Sequence, residues 1–131
     1  MKHFTRTEFI KSETAFQARI ENIPPPYVSK NLDFTIAGAE RIRHFLGEAM
    51  IITSGYRCQE LNELVKGSKT SQHMQGEAFD FISPDYGDPK AIFEDLFKYR
   101  FILGIDQLIL EPSWVHVSFT LNPRYEFLNL S

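Results

Sequence analysis

The hydrophobic positions of this chain change period several times, and each change predicts a boundary. From Pro26 to Phe45 apolar residues recur at helical spacing, at Val28, Leu32, Ile36, Ala39, Ile42 and Phe45, which predicts one long helix ending near Gly47. Lys30, Glu40, Arg41 and Arg43 fall between them as its solvated face, and His44 reads as a surface or helix-end residue. Ahead of it, Thr5 to Lys11 carries the marks of a short capped helix: Thr5, Glu8 three residues later, and Phe4 and Phe9 placed to pack across the first turn. Pro24-Pro25-Pro26 cannot continue a helix and reads as a stiff elbow, making residues 1–25 an arm folded onto the body.

After the long helix the pattern shortens. Ala49 to Thr53 is a β-rich run delivering the turn Ser54-Gly55-Tyr56-Arg57. Cys58 to Val65 reads as a helix with Leu61, Leu64 and Val65 inward, and Gly67-Ser68-Lys69-Thr70 as a loop. Glu77 to Ile82 alternates as a strand, with Ala78 and Asp80 on one face and Phe79 and Phe81 on the other. Asp88 can cap a helix starting at Pro89, whose inward face is Ile92, Phe93, Leu96 and Phe97. Two strands follow, Gln107 to Glu111 and Trp114 to Phe119, joined by Pro112-Ser113; the tail beyond them has no assigned element. Helices mixed with short strands in this order predict an α+β fold, a small and mostly antiparallel sheet flanked by helices.

Composition narrows the function classes. At 131 residues, 43% hydrophobic, the chain is long enough for one domain with a core, and 1–131 is read as one domain. A net charge of −3 without a Lys/Arg run argues against nucleic acid as partner. Cys58 is the one cysteine, so no internal disulfide forms. The first residues lack a signal peptide's apolar core and no run has membrane-spanning length, so the expected product is a soluble monomer, cytoplasmic when made, without a membrane partner.

The candidate chemistry sits in Ser71 to Asp80. Hydrolytic zinc sites take three protein ligands and leave a place for water, so two ligands close in sequence with a distant third is the pattern to seek. His73 and Asp80 are the close pair, with Gly76 letting the chain turn between them. In Trp114 to Phe119 the period of two puts His116 on one face with Trp114 and Ser118, while Val115, Val117 and Phe119 face the core. A hydrogen-bonded structural histidine is the plainer reading of His116 alone; beside the near pair it becomes the third ligand.

Three blocks, Ser54-Gly55-Tyr56-Arg57, Ser71-Gln72-His73 through Asp80, and Trp114-Val115-His116, stand in an order that resembles the zinc D-alanyl-D-alanine carboxypeptidase family, which includes vancomycin-resistance dipeptidases, phage L-alanyl-D-glutamate endolysins and the related hedgehog fold. Ser12-Glu13-Thr14-Ala15, Asn22-Ile23-Pro24 and Asn31-Leu32 also resemble a small subgroup found in phages and bacteria. The resemblance implies one zinc ion on His73, Asp80 and His116. It implies Arg57 as the group that polarises the scissile carbonyl or holds a substrate carboxylate, and Ser71 as a substrate contact. Gln72 and Trp114 are read as further substrate contacts, while a loop cap is the alternative for Ser71 and Gln72.

The implied activity is hydrolysis of amide bonds in peptidoglycan, by carboxypeptidase or endopeptidase action, at the cell wall after release or delivery. The sequence departs from that family at the general base. Members carry Glu or Asp three residues before the last histidine, or His two before it; here those positions are Ser113 and Trp114. Glu111 is the nearest carboxylate. If Pro112-Ser113 closes a two-residue hairpin, Ile109 faces His116 and Glu111 shares its sheet face at roughly 7 Å as a diagonal neighbour. Asp106 is the second choice. The missing carboxylate also leaves room for a different class, a module that keeps zinc and binds the wall or serves phage structure without catalysis.

Overall fold

A computed structural model describes residues 2–131, and Met1 lies outside them. The helices are α1 (Glu13–Gln17), α2 (Pro26–Leu46), α3 (Gln59–Leu64), α4 (Pro89–Lys98) and α5 (Arg100–Leu103), with 3-10 turns at Arg6–Phe9 and Gln72–Gln75. The strands are β1 (Ile51–Ser54), β2 (Ala78–Ile82), β3 (Gln107–Leu110), β4 (Val115–Ser118) and β5 (Glu126–Asn129). They form one sheet in the order β1-β2-β4-β3-β5, antiparallel except for the β3–β5 pair. The fold is α+β, as the hydrophobic pattern predicts.

The sheet has two unlike faces because its side chains alternate. Phe79 and Phe81 of β2, Val115 and Val117 of β4, and Leu108 and Leu110 of β3 are buried on one face. Onto that face pack Leu32, Ala39, Ile42 and Leu46 of α2 and Ile92, Phe93 and Leu96 of α4, in a single cluster. Phe79 meets Phe9 edge-on at 5.5 Å and stacks with Phe119 at 6.4 Å, arrangements that suit the quadrupoles of aromatic rings. The opposite face carries Asp80, Ile109, His116 and Ser118, whose register places Asp80 across from His116 and Ile109 across from His116 on its other side.

Local expectations are met where the signal is a cap or an elbow. Thr5 and Glu8 form a reciprocal capping box on a single 3-10 turn, with Phe4 and Phe9 edge-on at 5.5 Å. Pro25 is extended before Pro26 starts α2, Gly47 ends it at φ +73°, and the Asp88 side chain accepts the Ala91 N–H at 2.8 Å.

Elements that form through long-range contacts differ from the sequence reading. Leu64 and Val65 are exposed, because α3 is only six residues long and turns Leu61 and Asn62 inward. The tail forms β5, which pairs with β3 from Gln107↔Glu126 to Leu110↔Asn129. Helix α1 and α5 were not expected either. Arg41 is exposed, as expected, and from that face its Nη2 also reaches the Leu103 carbonyl at 3.2 Å and its guanidinium lies 5.3 Å above the Phe119 ring. Glu40 accepts from the backbone N–H groups of His3 at 2.7 Å and Phe4 at 3.0 Å, pinning the arm to α2. His44 is exposed, as expected of a residue near the helix end.

Candidate metal centre

Three segments of chain meet on the polar face of the sheet. Asp80 sits in β2 and His116 directly opposite in β4, so antiparallel pairing alone brings their side chains together. His73 arrives from the 3-10 turn before β2. Ser71 caps that turn by accepting the His73 N–H at 3.2 Å, and Gly76 ends it at φ +71°, a left-handed conformation that glycine adopts without strain. From α2, Thr35 donates its hydroxyl to the Gly76 carbonyl at 2.6 Å and Asn31 its amide to the Gln75 carbonyl at 2.9 Å. The turn that carries His73 is thus bolted to the longest helix.

One donor atom each from His73, Asp80 and His116 lies within 4.8 Å of the other two. Asp80 Oδ1 is 2.9 Å from His116 Nδ1 and 3.3 Å from His73 Nε2. His73 is buried, and its Nδ1 lies 2.7 Å from the Gly55 carbonyl oxygen. A carbonyl only accepts, so Nδ1 carries the proton and the lone pair of Nε2 faces Asp80 and His116. That arrangement is the one by which metal-binding histidines are held in a fixed tautomer. Gly55 can serve because the Phe9 backbone crosses it; a Cβ there would be 2.2 Å from the Phe9 oxygen.

Electrostatics match the donor chemistry. Burial lowers the His73 pKa more than Asp80 raises it, with Arg57 and His116 pushing the same way, so the ring is held neutral. Burial alone would raise the Asp80 carboxyl, but the hydrogen bond with His116 at 2.9 Å outweighs it and holds Asp80 well below the usual carboxylate range. Two imidazole nitrogens and one carboxylate oxygen are the donor types zinc takes in sites that keep a position open. The residues therefore fit the ion.

Arg57 lines the cleft beside Asp80 and Trp114. Its backbone N–H donates to the His73 carbonyl at 3.1 Å, while its side-chain Nε is buried without a hydrogen-bond partner among the described residues. The residues on either side of Arg57 are held by Asn22, which the sequence reading gave no role. Asn22 donates to the Tyr56 carbonyl and the Ile10 carbonyl at 2.8 Å each, and its own oxygen accepts the Cys58 N–H at 2.8 Å. A buried asparagine placed just before the proline elbow was the available signal, but only the folded arm shows its partners.

Glu111, Ser71, Gln72, Trp114 and Arg124 line the same polar groove as the three donors, with a volume of about 430 Å³. The hairpin has the register that Pro112-Ser113 suggested: Ile109 opposes His116, and the Glu111 N–H donates to the Trp114 carbonyl at 3.0 Å. Glu111 is half-buried. Asp106 is placed very differently. It is 1% exposed and accepts from Arg124 Nε at 2.9 Å, Arg124 Nη2 at 2.7 Å, the Arg124 backbone at 3.0 Å, Gln72 at 3.0 Å and Ser118 at 2.8 Å. Burial would raise its carboxyl, but the bonds from Arg124, Gln72 and Ser118 hold it far below its ordinary value. With both oxygens taken, Asp106 is a bracket for the groove wall rather than a proton carrier. Arg124 and its link to Asp106 were absent from the sequence reading, since the tail had no assigned structure.

A cleft of this kind, with an N₂O donor set on one face of a sheet and an arginine beside it, has the donor types of a zinc site that keeps a position open. The model of one protein family, described as Peptidase M15, matches residues 2–118. The chain belongs to that family, whose members are zinc-dependent metallopeptidases. No curated protein matches the chain. The family match ends at Ser118, leaving Arg124 and β5 beyond it.

Proposed function

We propose that the protein is a zinc peptidase that hydrolyses amide bonds in the stem peptides or cross-links of bacterial peptidoglycan. The observation that carries this reading is the convergence of His73, Asp80 and His116 within 4.8 Å at the floor of a groove that Arg57 and Glu111 also line. Zinc on those three residues would polarise a carbonyl and bring the pKa of a bound water to about 7. His73 presents the lone pair of Nε2, and the Gly55 carbonyl keeps its ring from turning away.

Glu111 takes the proton from the attacking water and returns it to the leaving amine. Arg57, permanently charged and with an Nε that has no hydrogen-bond partner among the described residues, stabilises the oxyanion that forms as the carbonyl is attacked. Ser71, Gln72 and Trp114 contact the peptide on either side of the bond. The family match supports a peptide substrate; the choice of peptidoglycan rests on the resemblance of the three sequence blocks.

The test is mass spectrometry of purified peptidoglycan incubated with the zinc-loaded protein and with Glu111→Gln. Cleavage by the wild type identifies the bond, and the variant is expected to lose about 10²- to 10⁴-fold in rate. No released peptide across a range of pH and metal loading would remove the peptidase reading. One observation favours a second reading, a wall-binding or phage structural module that keeps zinc: Ser113 and Trp114 occupy the positions where family members carry their base. Wall binding by the zinc-loaded protein without cleavage is the result that would favour it.

A further inference from the structure

The polar groove is one of two that meet at the centre. A second, larger one of about 700 Å³ reaches Arg57, Asp80 and Trp114 from the other side, and those three residues line both. Its floor is β1 along its whole length, and its opposite wall is the arm from Glu8 through Lys11 to Thr14.

β1 is an edge strand, paired with β2 on one side only. In an antiparallel strand alternate residues aim their N–H and C=O groups away from the partner, so an edge presents a row of unpaired backbone groups. Proteins usually blunt such an edge with charge, proline or a covering element. Ile51-Ile52-Thr53-Ser54 carries no charge and no proline, and Ile51 remains 52% exposed. The arm covers only the end of the edge, where the Tyr56 N–H donates to the Phe9 carbonyl at 2.7 Å. The register of β1 against β2 shifts between Ile52 and Ser54, and Ser54 pairs with the metal-ligand candidate Asp80. Such a bulge bends a strand and redirects its end, here toward the centre.

Resting on the peptidase reading above, we propose that the substrate's main chain lies in the larger groove as an added strand on the free edge of β1. It crosses the centre at Arg57, Asp80 and Trp114 and continues into the polar groove beside Gln72 and Arg124. A substrate held on both sides of the cut bond is an endopeptidase substrate; a carboxypeptidase needs one groove and a closed end. Main-chain pairing supplies affinity that depends little on side-chain identity, which suits peptides of mixed composition.

The test uses zinc-loaded Glu111→Gln protein titrated with cross-linked peptide dimers from digested peptidoglycan, with amide hydrogen exchange read residue by residue. Outward amides of residues 51–54 are expected to gain about ten-fold or more in protection as the peptide binds. In parallel, wild-type protein is given peptides N-methylated at single positions distant from the cut bond. Alternate positions on the β1 side are expected to raise KM about ten-fold, as loss of one buried hydrogen bond predicts, with kcat little changed. Peptide dimers that are bound or cut without any change at residues 51–54 would overturn the edge-strand proposal and leave the peptidase reading intact. So would no binding at millimolar peptide. Protection of β1 without any cleavage by the wild type would support the edge-strand proposal and sink the peptidase reading.

Discussion

The two faces of the same five-stranded sheet are built to opposite rules. On one, Phe79, Phe81, Val115 and Val117 are fully buried among apolar side chains of α2 and α4, and no particular atom is required to be where it is. On the other, a few polar groups are each fixed by named partners: Asp80 between two imidazoles, Asp106 among Gln72, Ser118 and Arg124. The first face supplies the free energy that makes the sheet rigid. The second spends that rigidity on aligning donors, a task in which an ångström matters more than a kilocalorie.

Breaking the apolar face should give the largest loss of stability. Phe79→Ala removes the ring between Phe9 and Phe119 and should cost about 3–5 kcal/mol in urea unfolding. By contrast, Asp80→Ala on the other face should abolish stoichiometric zinc in metal analysis of the folded protein, while circular dichroism stays that of the wild type. If Phe79→Ala kept its stability, or Asp80→Ala kept its zinc, the division of labour between the faces would be wrong.

Asn22→Ala should cost about 1–3 kcal/mol, because it leaves the Cys58 N–H and the Tyr56 carbonyl without their partner. It should also lower kcat more than it raises KM if Arg57 acts in the transition state, which steady-state kinetics would read. Asp106→Asn sharpens the comparison through pH. The folded Asp106 carboxyl lies below its unfolded value of about 3.9, so its contribution is present above that pH and is lost as pH falls through the folded value. The variant should therefore be less stable than wild type at pH 7, by about 1–3 kcal/mol given that Arg124 is half-exposed, and the gap should narrow in acid. At the bottom of the scale, Lys90→Ala removes an exposed pair with Glu94 at 3.9 Å and should change stability by less than about 0.5 kcal/mol.

Much of this was legible in the sequence because it was encoded locally or periodically. The alternation through Glu77 to Ile82 put Asp80 opposite the phenylalanines, and that of Val115 to Ser118 put His116 away from the valines; both faces are as expected. Capping boxes, the proline elbow and the glycine that ends α2 depend on neighbours within a turn, so their chemistry is written in a few consecutive letters. Leu64 and Val65 misled because a short helix does not present all its apolar residues to the core. β5 was invisible because a strand pairing in parallel at a sheet edge is held by its partner, and Glu126 to Asn129 alternates no clear face.

The sequence by itself determined which residues could act as ligands and on which face of its strand each would stand, since side-chain alternation follows from backbone geometry alone. Only the tertiary structure decided that the Gly55 carbonyl would orient His73 and that Asn22 would hold the chain around Arg57. It alone engaged both oxygens of Asp106 in hydrogen bonds and left the edge of β1 open beside the centre. Those contacts join residues 18 to 36 positions apart, and no local preference specifies them. They exist because the apolar face packs in one way and carries the polar face with it.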